Sequence, residues 1–242
     1  MDIFDATIES LRTEDAVMLA TILSTSGSTP ASAFSRMLVK DRCRVSVGTV
    51  GGGCVEGDVL REAKRLYGQR MAAILTFSLT EDHPESGMLC GGSLDVLIEP
   101  VAKESISFFE SLKALRDAGE DCIVATYLED HGRIRGKMVL RALEATDGTG
   151  VYEAAQLRAM VPSVTSGISE NLSRVSSRHE TERLPFPDGE LILEPVAGRP
   201  SLVIFGGGHV SKHVTRAASM AGFRVTVVDD RKEYANPERF ET

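Results

Sequence analysis

The sequence predicts an α/β protein in two unlike parts: a mixed α/β N-terminal domain, then the start of a parallel sheet of the nucleotide-binding kind. Three observations predict it. Strand-like and helix-like hydrophobic periods alternate along the chain. The N-terminal part carries two glycine-framed cysteines, in GTVGGGCVEG and GMLCGG. The C-terminal part reads strand, glycine turn, helix, strand, acid, which is the order of a dinucleotide-binding unit. The linker Ala197-Gly198-Arg199-Pro200 divides the chain into residues 1–198 and 199–242, with residues 144–183 poorly defined.

Ile3, Phe4, Ile8 and Leu11 share one helical face. The run Ala16 to Ser24 suits a buried strand, and SGSTPAS after it reads as a loop. Strands are expected at Arg36–Lys40 and Arg44–Val50, the second broken by Gly51-Gly52-Gly53. A helix over Glu56–Gln69 buries Val59, Leu60, Ala63 and Leu66, and Ala73–Leu79 returns as a strand. A polar loop, Thr80–Gly92, ends in Cys90-Gly91-Gly92. Leu94–Glu99 is a strand stopped by Pro100. Ser105–Ala118 is an amphipathic helix closed by Gly119. Strands at Asp121–Leu128 and Lys137–Arg141 flank the hairpin loop EDHGRIRG. A helix is expected near Tyr152–Met160, and a strand at Glu190–Pro195. That strand, ELILEP, echoes the earlier DVLIEP, but two six-residue matches fall short of a repeat.

In the C-terminal part, Ser201–Phe205 is an apolar strand and Gly206-Gly207-Gly208 the turn. A helix spans His209–Ala221, and Phe223–Val228 is a second strand ending in Asp229-Asp230. This is the start of a Rossmann-like fold. Gly206 allows the tight turn, and Gly208 lets a pyrophosphate approach the helix N-terminus. Asp229 is placed to accept hydrogen bonds from ribose hydroxyls. Ser211 replaces the third glycine, and His209 is a candidate donor to an anion. The alternative is a turn that has kept its shape and binds no dinucleotide. A complete domain of this kind needs further strands, so the sequence predicts either a truncated form or a half-domain completed by another chain.

The 242 residues are 42% hydrophobic and 26% charged, enough for an ordinary core. A net charge of −8 offers no general attraction for nucleic acid. No run is long and apolar enough to span a membrane, and the acidic N-terminus lacks signal-peptide features. A cytoplasmic protein is expected. Four cysteines do not make a disulfide framework here, and no C-x-x-C pair suggests structural zinc.

Cys43 and Cys122 lie in apolar strand contexts and read as packing. Cys54 and Cys90 differ, because glycine neighbours leave a thiol unshielded and let backbone N–H groups point toward it. The glycines Gly51, Gly52, Gly53, Gly91 and Gly92 can form nests that hold an anion such as phosphate. Soft sulfur beside such a nest suits a metal- or sulfur-containing cofactor with a phosphate tail, with Cys54 and Cys90 as candidate metal ligands. The alternative is that both thiols are inert packing. Glu56 is either a base near Cys54 or a first-turn charge favourable to the helix dipole.

STSGSTPASAFSRMLV, VGTVGGGCVEGDVLREA, CGGSLDVLIEPV and the stretch from LVIFGGGHV to NPERF resemble the XdhC/CoxI family of xanthine dehydrogenase accessory proteins. The resemblance covers Ala16 to about Val101 and Leu202 to Phe240. It implies a maturation chaperone rather than an enzyme. Such a protein binds molybdenum cofactor, a molybdopterin with a terminal phosphate, and holds it while its terminal sulfur is installed. It then delivers the cofactor to xanthine dehydrogenase or a related molybdenum hydroxylase. The implied partners are that hydroxylase, a cysteine desulfurase and a second copy of the chain. Cys54 and Cys90 with their glycines fall on the family's N-terminal motifs, and Gly206, Gly208, His209 and Asp229 on its C-terminal nucleotide motif. Two other readings stand beside it: an NAD(P)-dependent oxidoreductase, and a scaffold that recruits the hydroxylase without binding cofactor.

Overall fold

The computed structural model describes residues 2–79, 91–141, 150–152, 174–175 and 177–240. The expected loop around Cys90 lies outside the described residues, as does the helix expected near Tyr152–Met160 except for Tyr152 itself, which ends a strand instead. Helix α1 (Ile3–Thr13) starts at Asp2, whose carboxylate accepts the Phe4 N–H at 2.9 Å as an N-cap. Its buried stripe includes Phe4, Ile8 and Leu11. Strands β1 (Ala16–Ser26), β2 (Arg36–Lys40), β3 (Val45–Gly48), β4 (Ala73–Ser78) and β5 (Ser93–Ala102) form a five-stranded sheet in the order β3-β2-β1-β5-β4. Its pairs are all antiparallel. Helix α2 (Gly53–Tyr67) lays Val55, Val59, Ala63 and Leu66 on Met18, Ala20, Ile22, Val96 and Ile98 of one sheet face. It begins at Gly53, earlier than the apolar stripe suggested, because the glycine turn itself supplies the first helical residues.

Helix α3 (Ile106–Ala118) ends at Gly119, which takes the left-handed φ of 81° that glycine adopts without strain. A second five-stranded sheet follows, of β6 (Cys122–Glu129), β7 (Ile134–Arg141), β8 (Gly150–Tyr152), β9 (Glu182–Phe186) and β10 (Gly189–Val196). Its order, β8-β7-β6-β10-β9, repeats that of the first sheet strand for strand. The registers repeat too. Met18 faces Pro100 where Ile123 faces Pro195, and Thr21 faces Arg36 where Thr126 faces Lys137. The echo between DVLIEP and ELILEP is thus part of a two-fold internal repeat of helix and sheet.

The repeat explains the core. One cluster joins Val17, Leu19, Leu38 and Val101 to their counterparts Cys122, Val124, Val139 and Val196. It also joins Phe4 and Leu11 of α1 to Phe108 and Leu115 of α3. The two sheets therefore pack face to face, with both helices closing the same layer. Each fully buried aliphatic side chain there stabilises the fold by about 1.5–3 kcal/mol. Two ion pairs cross this layer reciprocally. Arg36 of β2 pairs with Glu194 of β10, and Lys137 of β7 pairs with Glu99 of β5 at 2.5 Å. Arg36 and Lys137 are equivalent positions, and so are Glu99 and Glu194. Their side chains are at most 12% exposed.

Strand β5 runs through Pro100 rather than stopping before it. Pairing with β4 ends at Ala73↔Ile98, so Pro100 faces β1 alone and needs no partner on its other side. Pro195 repeats this, since pairing with β9 ends at Glu182↔Leu193. Ile134 to Gly136, expected in a loop, belong to β7 opposite Leu128 and Tyr127.

The C-terminal part contains β11 (Ser201–Phe205), α4 (His209–Met220) and β12 (Arg224–Val228), with β11 and β12 parallel. It is tied to the end of α3. The Arg224 guanidinium donates to the Ala118 carbonyl at 2.8 Å, and the Arg199 N–H donates to the Arg116 carbonyl at 2.8 Å. Cations at a helix C-terminus complete its last carbonyls and offset its dipole. Among the described residues no helix is long and apolar enough to cross a membrane.

Two glycine motifs seated on one serine loop

The turn after β3 is built for glycine. Gly51 has φ 118°, and Gly52, the N-cap of α2, has φ 74° and ψ −176°, a region that costs other residues about 1–3 kcal/mol. Gly52 has no side chain to cap the helix, and Glu56 does so instead. Its Oε1 accepts the N–H groups of Gly52 at 3.0 Å and Val50 at 3.2 Å, together with the Thr49 hydroxyl. Of the two roles open to Glu56, the structure shows the first-turn charge. Its carboxylate fills the inner nest of the glycine turn. An incoming anion is left with the first-turn amides of Gly53, Cys54 and Val55, which helix geometry leaves without intrahelical acceptors. Cys54 sits there half-buried.

The loop Ser26–Pro30 brings the two N-terminal motifs together. A Cβ on Gly92 would lie 2.3 Å from the Ser28 carbonyl oxygen and 2.5 Å from that of Ser26. A Cβ on Gly51 would lie 2.8 Å from Pro30 Cγ. Both glycines are thus required by packing against the same loop. Gly91 and Gly92 are held in turn by Leu79, with Gly91 N–H donating to its carbonyl at 2.9 Å and Leu79 N–H donating to the Gly92 carbonyl at 2.8 Å. Gly52 and Gly91, in contrast, have no atom of the described residues, chain neighbours aside, within 4 Å of where a Cβ would stand. Each motif therefore spends one glycine on packing and presents another outward. Cys90, the partner expected for Cys54, lies outside the described residues. Among the described residues no group of three or more His, Cys, Asp or Glu side chains could hold a metal ion.

Cys122 is buried in the shared core. Cys43 packs beside α2, and burial pushes its thiol up despite nearby Lys64, as suits a packing residue.

The C-terminal residues form a second cluster. Asp229 does not stand open at the end of β12. Its carboxylate accepts the Gly207 N–H at 2.7 Å and the Arg231 guanidinium at 2.9 and 3.1 Å, and its side chain is 2% exposed. These bonds, Arg231 first and the Gly207 amide next, hold the carboxyl well below the usual range. Residues after β12 fold back on the turn. The Tyr234 carbonyl oxygen would lie 2.0 Å from a Cβ on Gly207, and Arg239 Nε donates to the Gly207 carbonyl at 2.8 Å. Arg231 and Arg239 both lie over the Tyr234 ring, at 3.8 and 4.7 Å from its centroid. Gly206 and Gly208 keep open space beside them, and His209 is exposed at the start of α4. A ribose hydroxyl reaching Asp229 would have to displace Arg231 or Gly207. The acid's position was legible in the sequence, whereas Arg231 as its local partner, and Tyr234 beneath that guanidinium, were not.

Comparison with known proteins matches two separate stretches of the chain. Residues 10–78 match the model of the XdhC and CoxI family, and residues 202–242 match that of the XdhC Rossmann domain. The chain is 24% identical over 235 residues to a probable xanthine dehydrogenase subunit of Bacillus subtilis, covering 95% of this chain and 64% of that protein. Over 42 residues it is 43% identical to the uncharacterized protein YqeB of Escherichia coli, covering 17% of this chain and 8% of that one. In fold it is similar to a crystal structure described as a xanthine dehydrogenase from Bacillus halodurans, with a TM-score of 0.70 at 20% identity over 99% of this chain and 66% of that one. The chain thus spans about two thirds of the Bacillus relatives' length. With the glycine-cysteine motif inside the first match and the glycine turn inside the second, the chain is similar to the XdhC/CoxI family in both of its parts.

Proposed function

We propose that this chain is an accessory protein for xanthine dehydrogenase or a related molybdenum hydroxylase, which binds molybdenum cofactor and supports its sulfuration and delivery. The observation that carries the reading is the Ser26–Pro30 loop, which seats Gly51 of one motif and Gly92 of the other on a single support. Outward-facing Gly52 and Gly91 form a backbone cradle without side chains, and half-buried Cys54 stands at the positive end of α2. This donor set fits the cofactor: first-turn amides for its phosphate, and a thiol near its sulfur-bearing end. When bound, the cofactor supplies the metal and dithiolene chemistry. The chain's own residues bind and orient it. Glu56 keeps the turn rigid and, as a fixed anion, directs the ligand's negative charge toward the outer amides rather than the inner nest.

A cysteine desulfurase would deliver the sulfur, the hydroxylase would receive the finished cofactor, and a homodimer in the cytoplasm would be the working form. A chaperone needs to release its cargo, and an exposed cradle suits release better than an enclosed pocket. NAD(P) binding at the glycine turn is the weaker reading, because Asp229 already serves Gly207 and Arg231.

Gel filtration of the purified chain with molybdenum cofactor, read by molybdenum content and pterin fluorescence, tests the proposal. Co-elution is expected with the native chain and weakened co-elution with Cys54→Ala. Absence of co-elution at micromolar concentrations would overturn it. Tight NAD(H) or NADP(H) binding with hydride transfer would favour an oxidoreductase.

A further inference from the structure

On α4, His209 and His213 stand one turn apart, so both imidazoles lie on the same helical face. Their Nε2 atoms are 3.3 Å apart and their ring centroids 4.8 Å apart, with ring planes crossing at 76°. The rings meet obliquely rather than head-on, as two ligands of one ion do. Both residues are exposed. A single N–H···N bond between exposed rings contributes little, because water offers the same partners. That makes a poor reason for two imidazoles to aim their outer nitrogens at each other.

We infer that His209 and His213 are a two-point chelate for a divalent transition-metal ion of the zinc class. With zinc–nitrogen bonds of about 2.0–2.1 Å, a 3.3 Å bite subtends roughly 107° at the metal, close to tetrahedral. Imidazole is a ligand suited to zinc, copper, nickel and cobalt, and coordination through Nε2 fixes the proton on Nδ1 of each ring. Two protein ligands leave the remaining positions for water or for an incoming anion. His209 directly follows Gly208, whose surroundings are open, and Lys212 and Arg216 lie on the same helix. An anion at the glycine turn is therefore the expected further ligand. This site is independent of the cradle around Cys54 and needs no molybdenum cofactor.

Titration of the intact chain with Co2+ alone, followed by visible absorption and by competition with Zn2+, tests the site. One equivalent should bind with d–d bands and no thiolate-to-cobalt charge transfer, which separates imidazole from cysteine ligation. Reducing the chelate to one ligand, by His209→Ala or His213→Ala, should weaken binding by roughly 100-fold. Both side chains are exposed and alanine is the best helix former, so the variants should keep the fold, as far-ultraviolet circular dichroism can verify. Wild-type affinity in either variant, a thiolate charge-transfer band as the main signal, or no binding at micromolar Co2+ and Zn2+ would each overturn the inference.

Discussion

Removing Glu194 should destabilise the protein far more than removing a surface charge. Its partner Arg36 lies between the two sheets, where burial and then Arg116 pull the guanidinium down to about 10 while Glu99 and Asp2 pull it back. Glu194→Ala leaves a cation in that layer without its carboxylate, a change that costs about 3–5 kcal/mol. That is a large part of the roughly 5–15 kcal/mol that holds a domain folded, and corresponds to a melting temperature lower by roughly 10 °C. Glu99→Ala strands Lys137 in the symmetric place and should also be costly. It should cost less than Glu194→Ala, because an ammonium can shed its proton when stranded and a guanidinium cannot. Replacing Lys137 and Glu99 together by methionine should be near neutral, since well-packed apolar residues substitute for a buried pair. Urea unfolding followed by circular dichroism gives each free energy from the midpoint at constant slope. Single variants within about 1 kcal/mol of the native protein, with the double variant losing several, would refute a buried reciprocal pairing.

Other outcomes follow from single contacts. Gly92→Ala forces a methyl group against two carbonyl oxygens of the Ser26–Pro30 loop, so it should lower stability by a few kcal/mol and abolish cofactor retention, both measurable on one preparation. Glu56→Ala empties the nest that joins Thr49, Val50 and Gly52, and the loss of this cap should cost about 1–2 kcal/mol and speed hydrogen exchange at Gly52. Asp229 is held below its unfolded value, so its contribution is complete above about pH 4 and is lost as pH falls through the lower folded value. The Gly207 amide resonance should therefore stay put from neutral pH to that point and move only below it. Tyr127, raised to about 12 by burial and by its bond to Asp188, should keep its proton in an ultraviolet titration until pH approaches that value. Its contribution to stability should decline once pH rises past about 10, where the unfolded phenol ionises.

Much of the fold was legible because its signals are local. The strand Ser201–Phe205, the turn and α4 came directly from an apolar run, three glycines and a helical stripe. Gly119 announced the end of α3. Strand β9 leaves little mark in the sequence because it is a half-exposed edge, Glu182–Phe186, with Pro185 inside it and two charges, Glu182 and Arg183, at its start. The repeat showed itself only in DVLIEP and ELILEP, since many of its other equivalences join unlike residues such as Arg36 with Lys137 and Met18 with Ile123. Those matches live in strand register, which no short window of sequence contains. The same limit applies to the sites. Glycine frames marked where backbone matters, but the sharing of the Ser26–Pro30 loop by Gly51 and Gly92 depends on folding. So does the filling of each turn by a protein carboxylate, Glu56 in one and Asp229 in the other.

The most direct measurement is a nuclear magnetic resonance titration of the labelled chain with molybdenum cofactor, reading backbone amides at both glycine clusters. Cofactor held by the N-terminal cradle should shift Gly52, Gly53, Cys54 and Gly91 and leave Gly206, Gly207 and Gly208 unmoved. Shifts confined to the C-terminal turn, or none at either cluster, would contradict the account.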